Sequence, residues 1–225
     1  ETSGLQIIAT VIPKSSTSDS LYFSQPGAGY YHIYNNNPTN YEGWNATLIR
    51  DMSNSFKAKM HQFIPTWQYL FADASISNTG RIYVSTSVPM NVDEASSSYS
   101  DTDIFISYSD DNGLTWTDLG NITNTPSGYD EDQNYIPQFE LHPHLSPTTD
   151  ANGMYITFQI PAMPHPPSDV NWDSETYETV KNYIYFGILN SPGDGNTKII
   201  INEIMQNPSA VSDNDGEWFE IYNNS

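Results

Sequence analysis

Apolar side chains in this sequence alternate with polar ones over short runs, and Gly, Pro, Asn and Ser cut each run off. Alternation of this kind puts successive residues on opposite faces of a strand and leaves no stripe for a helix to bury. Strands are predicted at LQIIATVI (5–12), YYHIYN (30–35), NATLIRD (45–51), KMHQFI (59–64), YLFADASIS (69–77) and RIYVSTSV (81–88). More follow at DIFISYS (103–109), TWTDLGNI (115–122), GMYITFQIP (153–161), NYIYFGIL (182–189), TKIIINEIM (197–205) and EWFEIYN (217–223). The turns SNTG (77–80) and DANG (150–153) place Gly where a hairpin needs positive φ. The pattern predicts an all-β chain with strands at the spacing of a sandwich or a propeller.

At 225 residues the chain can bury a core without staples. It has no cysteine, which removes disulfides, thiolate metal sites and cysteine nucleophiles. Its formal charge of −20, with seven Lys plus Arg, repels phosphate backbones and anionic membrane surfaces. No apolar run approaches the roughly 20 residues of a membrane helix. Nucleic acid and membrane insertion are therefore not expected. An acidic, Asn-, Ser-, Thr- and Tyr-rich composition suits a secreted or cell-surface protein. The chain starts at Glu1 and shows no leader, so it reads as processed or as part of a longer polypeptide.

Two segments share a layout at an offset of about 73 residues. FADASISNTGRIYVSTSV (71–88) and LHPHLSPTTDANGMYITFQI (141–160) each run strand, polar turn, aromatic-rich strand. An internal repeat of that kind suggests blade-like units. Between them lies SDDNGLTW, Ser109 to Trp116. Asp111 can accept backbone N–H bonds across this turn, and Gly113 can take the left-handed conformation that reverses the chain. Thr115 starts the returning strand, and the Trp116 ring can anchor the hairpin to a neighbouring sheet. The pattern S-x-D-x-G-x-T-W, carried by Ser109, Asp111, Gly113, Thr115 and Trp116, resembles the Asp-box (BNR repeat) of sialidase-like β-propellers. The resemblance implies a structural turn between the third and fourth strands of a blade, on a rim away from any active site. It also implies three arginines around a sialic-acid carboxylate, yet the chain holds only Arg50 and Arg81, and FIP (63–65) lacks the arginine of the family's RIP motif. Sialic-acid hydrolysis by this chain alone is not expected, and no catalytic residue is singled out.

His142 and His144 in LHPHLSP stand two apart, on one side of a strand. They read as imidazoles of a Pro-flanked loop or, with His165, as metal ligands. Asp130, Glu131 and Asp132 in YDEDQNY read as a solvated loop or as a calcium site made of carboxylate oxygens. No cofactor other than such calcium is suggested. Asn45, Asn121 and Asn223 head N-glycosylation triplets.

After LNSPGDGNT (189–197) the pattern changes. KIIINEIMQNPSAVSDNDGEWFEIYNNS (198–225) resembles the beginning of a lamin-tail domain, through INEIM, NP and DGEWFEIYN. That resemblance implies the first strands of an immunoglobulin-like sandwich, which needs roughly seven. The expected organisation is an Asp-box propeller-like segment over residues 1–190, a linker over 191–197 and an incomplete lamin-tail-like part over 198–225. At roughly 45 residues per blade the first segment holds three or four. The natural chain is expected to extend past Glu1 and Ser225.

The expected function is that of a non-catalytic extracellular module for adhesion, glycan contact or display, with a glycan or a surface protein as partner. One alternative is part of a sialidase-like glycoside hydrolase whose catalytic residues lie elsewhere. Another is a subunit of an extracellular fibre or surface assembly, where LQIIATVI and KIIINEIM complete a neighbour's sheet by strand exchange.

Overall fold

The computed structural model describes residues 4–13, 26–37, 39–40, 42–53, 71–90, 101–125, 128–129, 135–136, 140–147, 153–161, 182–189, 202–205 and 218–219. Among the described residues every regular element is a strand and none is a helix. In the first sheet β1 (Leu5–Val11), β2 (Gly29–Asn35) and β3 (Asn45–Asp51) pair in that order. The second contains β4 (Ala72–Ile76), β5 (Ile82–Met90), β6 (Asp101–Ser109) and β7 (Thr117–Asn121). A ribbon of β8 (Gly128–Tyr129) and β9 (Tyr135–Ile136) follows. The third sheet runs β10 (Leu141–Leu145), β11 (Met154–Pro161), β12 (Asn182–Leu189), β13 (Asn202–Met205) and β14 (Trp218–Phe219). Every pairing is antiparallel and joins strands consecutive in sequence. Each sheet is thus a meander, in which every strand returns antiparallel beside the one before it.

The turn signals act where they stand. In SNTG, Gly80 has φ 85°, its N–H donates to the Ser77 carbonyl, and the Ser77 N–H donates to the Arg81 carbonyl. Gly153 of DANG also has positive φ, at 127°. The strand predicted at 59–64 lies outside the described residues, as do residues 191–197. Residues 202–205 and 218–219 are hydrogen-bonded into the same sheet as β10–β12, through Ile184 opposite Ile204 and Met205 opposite Trp218.

The second sheet lies between the other two. On one face Ile82, Val84 and Val88 of β5 meet Ala28, Tyr30, Ile49 and Met52 of the first sheet and the segments that follow its strands. On the other, Tyr83 of β5 and Ile104 and Ile106 of β6 meet Leu145, Met154, Ile156, Phe158, Ile160 and Leu189 of the third. The alternation in IYVSTSV therefore does not divide core from solvent. It divides one core from another, and even Ser85, Thr86 and Ser87 are buried. Burying side chains on both faces makes β5 the central strand of the packing.

The first strands of the three sheets come together: β4 touches both β1 and β10. The Leu145 N–H donates to Asp73 Oδ2 at 2.8 Å, and the Ser75 hydroxyl donates to the Ser146 carbonyl. β4 and β10 are the equivalent strands of the two repeats, so the repeat places like against like.

Candidate functional site

Ser109 closes β6 and Thr117 opens β7, and the turn between them is held by its own side chains. The Ser109 hydroxyl donates to Asp111 Oδ1 at 2.7 Å and accepts the Gly113 N–H at 2.8 Å. Asp111 Oδ1 also accepts the Thr115 N–H at 2.8 Å, and Oδ2 accepts the Thr115 hydroxyl at 2.6 Å. Asn112 (φ 58°) and Gly113 (φ 81°) take the left-handed conformations that reverse the chain. The bonds from Thr115, side chain first and then backbone, with help from Ser109, hold the Asp111 carboxyl at a pKa of about 2, below its ordinary 3.8. A folded pKa below the unfolded one stabilises above pH 3.8, and that contribution is lost as pH falls toward 2. Asp111→Asn is accordingly expected to lower the thermal midpoint at neutral pH and to flatten its fall across that acid window. Parallel midpoint–pH curves for the two proteins would refute this role.

The turn is also a joint between sheets. The Gly113 carbonyl accepts the Thr47 hydroxyl from β3 at 2.6 Å, His32 Nδ1 from β2 at 3.2 Å and the Trp116 indole N–H at 3.2 Å. Trp116 also donates to Thr47 Oγ1 at 3.2 Å and stands edge-on to His32, with ring centroids 5.8 Å apart. The indole is half-buried against the first core.

Because a carbonyl can only accept, Nδ1 of His32 carries the proton. Nε2 is 3.1 Å from Gln6 Oε1, and because Nε2 of the neutral ring can only accept, the carboxamide turns over to present its NH2 group there. Burial pushes the His32 pKa below 6.5, opposed by the bond to Gly113. Stability from the neutral ring is complete above pH 6.5 and drains as pH falls through the lower folded value. The midpoint of the wild-type protein should fall on mild acidification, and His32→Gln should reduce that sensitivity, leaving the share that comes from the half-buried imidazole of His142. An unchanged slope in the variant would show that His32 is not its source.

Both arginines are engaged. Arg81 forks onto Asp110 at 2.6 and 2.9 Å, and its guanidinium lies 4.2 Å above the Tyr108 ring. Arg50 pairs with Asp118 and lies 4.3 Å over Phe105. Arg50 links the first sheet to the second, since Asp118 is on β7 and Phe105 on β6.

Buried carboxylates close the loop after β7. Asp103 accepts the Asn121 side-chain N–H at 2.5 Å, the Thr123 hydroxyl at 3.2 Å and the Thr125 N–H at 3.2 Å. Glu140 accepts the Thr125 hydroxyl. The Asn121 amide nitrogen that a glycan would occupy is thus bound to Asp103. Asn45 is exposed at the start of β3, and Asn223 lies outside the described residues. Asp130, Glu131, Asp132 and His165 also lie outside them.

His142 and His144 belong to β10 rather than to a loop. A register shift between Leu141 and His144 marks a bulge there, and His142 has φ 52°. Its half-buried ring lies against Phe71, with centroids 4.0 Å apart. Burial first and His144 second push its pKa down. His144 Nδ1 is 3.7 Å from Asp73 Oδ2. Asp73 also accepts the N–H of Ala74 at 2.9 Å through Oδ1. Among the described residues no three His, Asp or Glu side chains are arranged to hold a metal ion. Phe71, Asp73 and His32 escape a reading of the sequence motif by motif. The repeat carries a signal for the first two, because it makes 71–76 and 141–146 equivalent strands.

These sheets define an all-β protein of stacked antiparallel meanders. No protein-family model and no curated protein matches the chain. Among solved structures it is similar to Zg3597, a family 117 glycoside hydrolase produced by the marine bacterium Zobellia galactanivorans, at 13% identity and a TM-score of 0.38. The match covers 86% of this chain and 54% of Zg3597, so the chain spans about half the length of that enzyme.

Proposed function

We propose that this chain is part of a non-catalytic, secreted or cell-surface module of propeller type, serving adhesion, glycan contact or display. The observation that carries the reading is the commitment of both guanidinium groups and of the Asp111 carboxylate to the scaffold. Arg81 is held by Asp110, Arg50 by Asp118, and Asp111 by Ser109 and Thr115. A clamp for a substrate carboxylate needs guanidinium forks left open, and both guanidinium groups already carry a carboxylate and an aromatic ring. Blade-like organisation is supported by the four-stranded meander β4–β7 with its Asp-box between third and fourth strands, and by the approach of β1, β4 and β10. The charge of −20 favours a neutral or basic partner over an anionic one. The full-length protein should bind on a glycan array and leave fluorogenic glycosides intact. Hydrolysis of such a glycoside, lost in an Asp73→Asn variant, would replace this reading with that of a glycoside hydrolase.

A further inference from the structure

Phe71 immediately precedes β4 and Asp73 lies in it, while His142 and His144 come from β10, in a different sheet. Only the folded arrangement brings them together, where the first strands of the sheets meet. His142 holds its place with a left-handed backbone that non-glycine residues seldom adopt. Bulges and left-handed residues re-aim side chains at functional positions. Here the bulged strand carries one imidazole against the Phe71 ring and the other beside the Asp73 carboxylate.

We propose that Phe71, Asp73, His142 and His144 form a binding site for a neutral, hydroxyl-rich sugar ring. The proposal rests on the glycan-contact reading above and assigns that contact to a place. Asp73 is fixed by the backbone N–H groups of Ala74 and Leu145, and its side chain is still 34% exposed. A carboxylate has about four acceptor positions, so hydroxyl protons can be received beyond these two bonds. His144, with 68% of its side chain exposed, can donate to or accept from a second hydroxyl. The Phe71 and His142 rings pack on each other and are both half-buried, and the ring surface left outside that contact is apolar and can meet C–H groups of a pyranose.

Other ligand classes fit less well. An anion would meet the Asp73 carboxylate on a chain of charge −20. A purely apolar ligand would strip water from that carboxylate and return no hydrogen bond. A metal ion lacks three arranged ligands among the described residues.

The test uses the full chain with methyl β-D-galactoside, methyl β-D-glucoside and methyl α-D-mannoside as probes, titrated by saturation-transfer NMR. Saturation should reach the ring C–H protons of at least one glycoside. Affinity should weaken about tenfold in His144→Ala, as loss of one hydrogen bond to a polar ligand does, and also in Phe71→Leu. His144 is too exposed to carry the fold, so an unchanged thermal midpoint separates binding from stability. Equal affinity in both variants would overturn the site and leave glycan contact standing. Binding to an array but to none of the three glycosides would likewise overturn the site alone. No binding to either the array or the glycosides would overturn both.

Discussion

Gly113→Ala should cost this protein a large part of its stability. A methyl at Gly113 would come closer than 3.0 Å to Nδ1 and Cε1 of His32. His32 cannot step aside. It is 1% exposed, bonded to the Gly113 carbonyl and to Gln6, stacked on Tyr34 with centroids 5.0 Å apart, and set edge-on to Trp116. The backbone adds a second penalty, because φ 81° costs an L-residue roughly 1–2 kcal/mol. Overpacking a filled site adds typically about 1–3 kcal/mol. The sum is a large share of the roughly 5–15 kcal/mol margin of a domain. Chemical denaturation should report a clear drop in midpoint. A cycle with His32→Ala should show strong coupling, because removing the ring relieves the clash and leaves only the backbone strain. Wild-type stability in Gly113→Ala would mean that the turn does not press on the first sheet, and the joint between them would not exist.

Tyr30→Ala should be of similar severity for a different reason. Tyr30 is 0% exposed in the first core, and its hydroxyl crosses from the first sheet to donate to the Ser87 carbonyl of β5 at 2.8 Å. Burial holds the phenol pKa well above its ordinary value, so the hydroxyl is a donor at neutral pH. Emptying a site of this size typically costs about 3–5 kcal/mol. Tyr30→Phe keeps the ring and loses the bond, at about 1–2 kcal/mol. The two variants, measured by urea denaturation, separate packing from hydrogen bonding. Equal losses would assign the whole effect to the hydroxyl, and a harmless Tyr30→Ala would contradict the packing of the first sheet on the second.

Local chemistry in this protein is legible before any tertiary contact is known. The alternation in RIYVSTSV and DIFISYS specifies strands, and Gly80, Gly113 and Gly153 each fall where the chain needs a positive φ. The turn from Ser109 to Trp116 follows from side chains within four residues of one another, which is why its hydrogen bonds can be anticipated from spacing alone. The boundary at 191–197 rests on composition. Composition does not reveal which strand Asn202–Met205 pairs with, and that partner is β12.

What spacing cannot supply is the meeting of distant residues. His32 and Gly113 are 81 positions apart, and nothing near either announces the other. In the sequence Arg50 and Arg81 can only be counted; stacking of the sheets gives Arg50 its Phe105 ring and Asp118 partner, and strand pairing gives Arg81 its Tyr108 ring. His142 and His144 read as imidazoles of a Pro-flanked loop or as metal ligands, and the approach of β10 to β4 sets one on Phe71 and the other beside Asp73. The sequence alone therefore determined most of the described strands and the hydrogen-bonded turn from Ser109 to Trp116, because backbone preference and short-range hydrogen bonds act within a few residues. Tertiary structure decided which face of β5 meets which core, where the charges are neutralised and where the first strands converge. Those outcomes depend on burial and Coulomb attraction between groups that only packing brings within reach.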